Sequence, residues 1–146
     1  MSPAGTETFV MGLHKSDENL EVAKRENAVI LLEKDYEDKY KGFNPNSPLA
    51  YIMLANRQNA YIASSLNFAG KIERQFKKHA DRSSRGVKQA GFMVLWQTAM
   101  PSVLVEAGFL SHAQEEKYLN SEEGQEQIAE SIFRAFKQYK EEVEEN

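Results

Sequence analysis

The sequence predicts an α/β protein: a mostly parallel sheet flanked by helices on both faces. Two observations lead there. Segments rich in β-forming residues are separated by long amphipathic segments, and parallel strands need such helical crossovers. In addition, Val103-Leu104-Val105 is an apolar run without polar alternation, which is how a strand covered on both faces reads. Only two or three strand segments are visible, fewer than a sheet covered by four helices normally holds. The 146 residues therefore read as one domain, the latter part of a larger α/β unit, without internal repeats or low-complexity segments.

The elements follow in order. Gly5 to Gly12, GTETFVMG, carries Thr6, Thr8, Phe9 and Val10 and reads as a strand. Ser16 is placed as an N-cap, with Asp17 and Glu18 in a first turn that suits the helix dipole. The helix it opens should run to about Tyr40, with Leu20, Ala23, Asn27, Ile30, Leu31 and Tyr36 on one face. Within it Ala28–Leu32, AVILL, is apolar all round, so this turn is either buried on several sides or marks a break. Lys41–Pro48, KGFNPNSP, is a loop by its Gly, Pro and Asn content. Ser47-Pro48 opens a helix expected to reach about His79, with Ile62, Leu66, Ala69, Ile72 and Phe76 on its inner face.

Asp81 to Gly86 reads as a polar loop and Val87 to Ala90 as a short strand. Gly91–Thr98, GFMVLWQT, is open between helix and strand. Pro101 leads into strand 103–105. Ser111–Gln114 fits a capping box for a short helix to Leu119. Ser121 caps a last helix striped by Ile128, Ile132, Phe136 and Tyr139, whose end KEEVEEN is solvated.

Composition narrows the functional classes. The chain is 41% hydrophobic with a net charge of −4. That balance argues against nucleic acid as a partner, because binding phosphates needs clustered Lys and Arg. The densest basic stretch, Arg74 to Arg85, reads as a solvated helix end. The absence of cysteine excludes disulfides, a Cys-based zinc site and a Cys nucleophile. No apolar run approaches the roughly 20 residues of a membrane span. No export-signal pattern is present, and the chain enters a strand pattern within a few residues, which suggests a piece of a longer protein.

The candidate site residues are carboxylates. Glu106 ends the most buried strand, and in open α/β sheets ligands bind beyond the carboxyl ends of strands. Partial desolvation there raises a carboxyl pKa, which suits general acid–base work. The alternative is a Glu bonded to a neighbouring loop or paired with Arg or Lys. Glu7, mid-strand among threonines, either faces solvent or points toward the site. Glu26 lies on the first predicted helix beside the apolar turn and could simply pair with Arg25 or Lys24. His14, His79 and His112 lack partners at metal-binding spacing. Only His112, close to the Glu106 strand end, is kept as a site-lining candidate. There is no phosphate-binding glycine loop, no GxSxG elbow and no HExxH.

Arg85–Leu119, RGVKQAGFMVLWQTAMPSVLVEAGFLSHAQEEKYL, closely resembles the C-terminal signature of the zinc-dependent N-acetylmuramoyl-L-alanine amidases, the amidase-3 family. GTETFVMG resembles the strand after that family's second histidine ligand, and GQEQIAESIFRAFKQY its closing helix. The resemblance implies an incomplete amidase-3-type domain acting on peptidoglycan. The bond cleaved joins the lactyl group of N-acetylmuramic acid to L-alanine of the stem peptide. In the complete family enzyme zinc polarises the carbonyl and activates water. Glu106 matches the catalytic glutamate, which takes a proton from that water and delivers it to the leaving amine. The family's ligands, two His and one Glu, precede the first residue here. No metal ligand is therefore expected in this chain, and the chain alone is expected to be inactive and not to bind zinc. Where the family more often has Asn, this sequence has His112.

The segment at about 20–66 resembles the helical insertion of amidases that act in cell division, in which a helix Glu can sit on the zinc until an activator protein withdraws it. Glu26 is then the candidate autoinhibitory residue, and Ala28–Leu32 would pack in the cleft or meet an activator. The implied location is periplasmic or otherwise extracytoplasmic. The competing reading is an inactive amidase-like protein that binds peptidoglycan or a partner without hydrolysis.

Overall fold

The computed structural model describes residues 3–13, 16–55, 61–96 and 98–145. Its three strands are β1 (Thr6–Met11), β2 (Ser84–Ala90) and β3 (Leu104–Glu106), in the spatial order β2-β1-β3. β1 and β2 are parallel, whereas β3 runs antiparallel to β1. The sheet is thus mixed, which corrects the expectation of a mostly parallel one. The reason lies in the connections. Long helices separate β1 from β2, so the chain returns to the same end of the sheet and the strands pair in parallel. Between β2 and β3 stands only α5 (Met93–Trp96), a single turn. The chain re-enters the sheet at the end where it left, and β3 runs back.

β2 begins at Ser84, inside the stretch expected to be a loop. Its pairing with β1 is interrupted: Thr6 faces Ser84 but Thr8 faces Val87. One extra residue therefore bulges from β2 at Arg85–Gly86, where Gly86 adopts φ +85°. That left-handed value is open to glycine at little cost.

The two faces of the sheet differ. On one lies α4 (Ile62–His79), and α7 (Glu122–Glu144) packs against it. Ile72, Phe76, Ala80 and Ala135 are buried there, with Val103, Val105, Ile128 and Ile132 packed around them. Ser121 caps α7 as predicted, its Oγ accepting from Gly124 N at 3.0 Å. Into this face also points Glu73 of α4. It is 5% exposed and accepts hydroxyl bonds from Thr6 (3.0 Å), Thr8 (2.6 Å) and Ser84 (2.5 Å), which keeps the buried carboxylate satisfied.

The other face is covered by short pieces. α1 (Asp17–Asn27) is capped by Ser16, whose Oγ accepts from Asn19 N at 3.3 Å. The helix does not reach Tyr40. Asn27 ends it by donating to Gly91 O (2.7 Å) and accepting from Met93 N (2.8 Å), so the helix is pinned to the β2–α5 turn. Ala28–Leu32 follow as a 3-10 turn, and Asp35, at φ 64°, separates it from α2 (Tyr36–Lys39). Of the apolar turn only Ile30 is buried; Val29, Leu31 and Leu32 are exposed. The next predicted helix is likewise two, α3 (Pro48–Ala55) and α4. Phe9, Met11, Ala23, Tyr51 and Phe92 form the core on this side, with Phe9 and Phe92 edge to face at 5.0 Å. α6 (Ala113–Leu119) is N-capped by His112, without a side-chain bond, rather than by a box at Ser111.

Candidate functional site

Alternation along each strand decides which side chains share the α1 face. Phe9 and Met11 pack there, so Glu7 lies on the same side; Leu104 packs there, so Glu106 does too. The antiparallel register sets Glu7 directly opposite Glu106. Like charges facing each other across a ladder repel. The chain manages this by neutralising one of them. Glu7 is 3% exposed, and its Oε2 accepts from Arg85 Nε at 2.7 Å and from Lys88 Nζ at 2.5 Å.

The Glu106 side chain is left half-buried and, among the described residues, makes no hydrogen bond or ion pair. Burial pushes its pKa up, the facing Glu7 adds to that, and Glu26 adds more; Arg25 and Lys88 oppose. A carboxyl held above its usual range with free lone pairs is suited to exchanging a proton nearer neutral pH. Because β3 is antiparallel, Glu106 sits at the carboxyl end of its own strand but beside the amino-terminal end of β1. The rule for parallel sheets located it by the wrong geometry.

Glu26, next to last in α1, pairs with Arg25 Nε at 3.2 Å and keeps about half its side chain exposed. It lines a groove of about 340 Å³ with Val29, Ile30, Met93 and Leu104. Three of the residues singled out in the sequence, Glu106, Glu7 and Glu26, thus come within electrostatic reach of one another. His112 does not join them by any hydrogen bond, and its buried Nδ1 has no partner. His79 ends α4 and lines a separate surface groove with Glu126, Glu130 and Phe133 of α7. His14 lies outside the described residues. Sequence reasoning missed Arg85 and Lys88. Their signal was a pair of cations three apart around a glycine in a strand segment, a pattern that a bulge would explain.

The donors beside Glu106 do not fit a zinc site. Glu7 is engaged by two cations, Glu26 by Arg25, and among the described residues no imidazole joins them. Among the described residues, no group of three or more His, Cys, Asp or Glu could hold a metal ion.

The family model described as N-acetylmuramoyl-L-alanine amidase matches residues 1–138. The chain belongs to the amidase-3 family. It is 38% identical over 82 residues to N-acetylmuramoyl-L-alanine amidase AmiC of Escherichia coli, covering 56% of this chain and 20% of AmiC. It is 33% identical over 102 residues to an uncharacterized cell wall amidase of Bacillus anthracis, covering 67% of this chain and 19% of that one. The chain thus spans about a fifth of the length of these curated relatives. Among solved structures, an N-acetylmuramoyl-L-alanine amidase from Clostridium difficile 630 has the same fold, with TM-score 0.61 and 19% identity over 96% of this chain and 50% of that one. The CwlD amidase of Clostridioides difficile, solved in complex with the GerS lipoprotein, matches with TM-score 0.55 and 22% identity, over 94% of this chain and 46% of CwlD. The mixed three-stranded sheet and its flanking helices match about half of each of these solved amidase chains.

Proposed function

We propose that this chain is the part of a peptidoglycan amidase that carries the catalytic carboxylate, Glu106, and that zinc ligands lie in a segment outside it. The observation that carries this is Glu106 itself: unpaired, half-buried, facing Glu7, and held above the usual carboxylate range. Glu106 accepts a proton from the attacking water and returns it to the leaving amine. Zinc, where the complete enzyme binds it, supplies Lewis-acid activation of carbonyl and water. Arg85 and Lys88 pair with Glu7, and burial together with the facing Glu7 keeps the affinity of Glu106 for that proton high. The substrate bond is the amide between N-acetylmuramic acid and L-alanine of the stem peptide. Action on peptidoglycan places the protein outside the cytoplasm, and among the described residues no helix is long and apolar enough to cross a membrane.

In this reading the helical segment at about 20–66 is a regulatory insertion. Glu26 stands at the groove beside Leu104 and limits access until an activator protein displaces it. The exposed Val29, Leu31 and Leu32 next to it are what such an activator would grip.

The deciding measurement is amide cleavage of purified sacculi, followed by mass-spectrometric detection of free stem peptides, in an enzyme that carries this segment together with a family zinc site. Glu106→Gln should lower kcat by about 10²–10⁴-fold with KM little changed. Glu26→Ala should raise the rate without activator. Full activity in Glu106→Gln would end this reading. Zinc titration of this chain alone should give no stoichiometric tight binding.

A further inference from the structure

We propose that Arg82 and Glu115 form a buried clasp that positions Glu106, making them positioning residues for its proton transfer. The inference rests on the reading of Glu106 above, but its geometry stands separately. Both members of the ion pair are about nine-tenths buried, with side-chain exposures of 10% and 8%, and Arg82 Nη2 lies 2.5 Å from Glu115 Oε2. Burying such a pair is a poor route to stability, because desolvation offsets most of the attraction. What the pair does hold is the backbone that follows Glu106.

Arg82 Nη2 also donates to Ala107 O at 3.2 Å, while Glu115 Oε2 accepts from Phe109 N at 3.4 Å and from Gly5 N at 3.2 Å. One carboxylate oxygen and one guanidinium nitrogen therefore tie together the start of β1, the α4–β2 turn, the residues after β3 and helix α6. The approach is built in from each side. α4 ends with Arg82 N donating to Phe76 O at 3.1 Å, and Asp81 takes the left-handed conformation at φ 46° that such an ending requires. The guanidinium then lies over the Tyr118 ring, 4.5 Å from its centre.

Between Ala107 and Phe109 stands Gly108. A Cβ there would fall 2.7 Å from Glu115 Oε2 and 3.0 Å from Arg82 Nη2. Any side chain at 108 would have to push the clasp aside. β3 is only three residues long, so its end would fray without such an anchor. Held in place, Glu106 stays opposite Glu7 and half out of water. The groups facing it are Glu7 from β1, Lys88 from β2, and Arg25 and Glu26 from α1. Those facing the clasp are Tyr118 of α6 and the two backbone amides.

The test follows the side-chain carboxyl ¹³C resonance of Glu106 through a pH titration of this chain, which needs no catalytic activity. The double variant Arg82→Gln/Glu115→Gln removes the clasp at constant net charge. The Glu106 midpoint should fall toward the ordinary carboxylate range by about half a unit or more as the released strand end hydrates. Gly108→Ala changes no charge and should move it the same way. Where the double variant does not fold, Arg82→Lys decides alongside Gly108→Ala: it keeps the charge but loses the planar fork over Tyr118, and should give a smaller fall. A wild-type Glu106 curve in any of these variants, once folded, overturns the proposal. In the complete enzyme the same variants should lower kcat and leave KM. If Glu106→Gln stays active there, the catalytic reading fails, while the titration still reports on the clasp.

Discussion

The two faces of the sheet are built on different plans. The α4–α7 face is two long regular helices over an apolar seam, and its buried charges are engaged, Glu73 by three hydroxyls and Lys71 by Glu142 of α7. The α1 face is made of short, interrupted helices, and it carries Glu7, Glu26 and Glu106 near one another with one of them unpaired. The first face holds the sheet; the second leaves one half-buried carboxylate without a partner. Poised groups lower stability where they sit, so they gather on the side whose helices are already broken.

Four substitutions break or sharpen this contrast. The largest effect should come from Phe76→Ala. Phe76 is fully buried under α7, and its truncation should cost about 3–5 kcal/mol in urea unfolding. A cost near 1 kcal/mol would mean that the seam is loosely packed and the two faces are alike. Next, Ser121→Ala should cost about 1 kcal/mol by loss of the α7 cap, and Ser16→Ala on the other face should cost less, its bond being longer at 3.3 Å against 3.0 Å. The smallest effect has the opposite sign. The Glu106 pKa is raised on folding, so the folded state binds its proton more tightly than the unfolded chain does. Its contribution to stability is thus greatest below the ordinary carboxylate range and is lost as pH rises through the raised value. Glu106→Gln should therefore raise Tm modestly at neutral pH, with the gain fading as pH falls toward 4. A lower Tm at neutral pH would show that Glu106 serves the fold.

Much of the molecule was legible in its sequence, and the pattern of misses follows the same division. The strand at Gly5–Gly12, the Ser121 cap and the α4 face were readable because each obeys one local rule over several residues; the 103–105 run was readable as a strand, but β3 is a half-buried edge strand and β1 is the buried one. The α1 face was not, since its helices end for tertiary reasons. Asn27 stops α1 by bonding to Gly91 and Met93, residues more than sixty positions away. The strand direction of β3 was missed because it depends on how short α5 is. Glu106 could be singled out by its place at the end of an apolar run, and by resemblance, but its pairing with Glu7 needed the register. Arg82 and Glu115 carried no visible signal: an Arg after a helix and a Glu inside one are ordinary until Gly108 is seen to make room for them.

The bulge in β2 has a consequence for parity. Arg85 and Lys88 are three residues apart, and in an unbroken strand odd and even positions point to opposite sides of the sheet. The extra residue at Arg85–Gly86 resets the count, so both cations reach the same oxygen of Glu7. The bulge absorbs the extra position, so both cations stay on the surface that Glu106 faces. Deleting Gly86 would leave Arg85 and Lys88 two positions apart in a regular ladder, so both cations would stay on the Glu7 side.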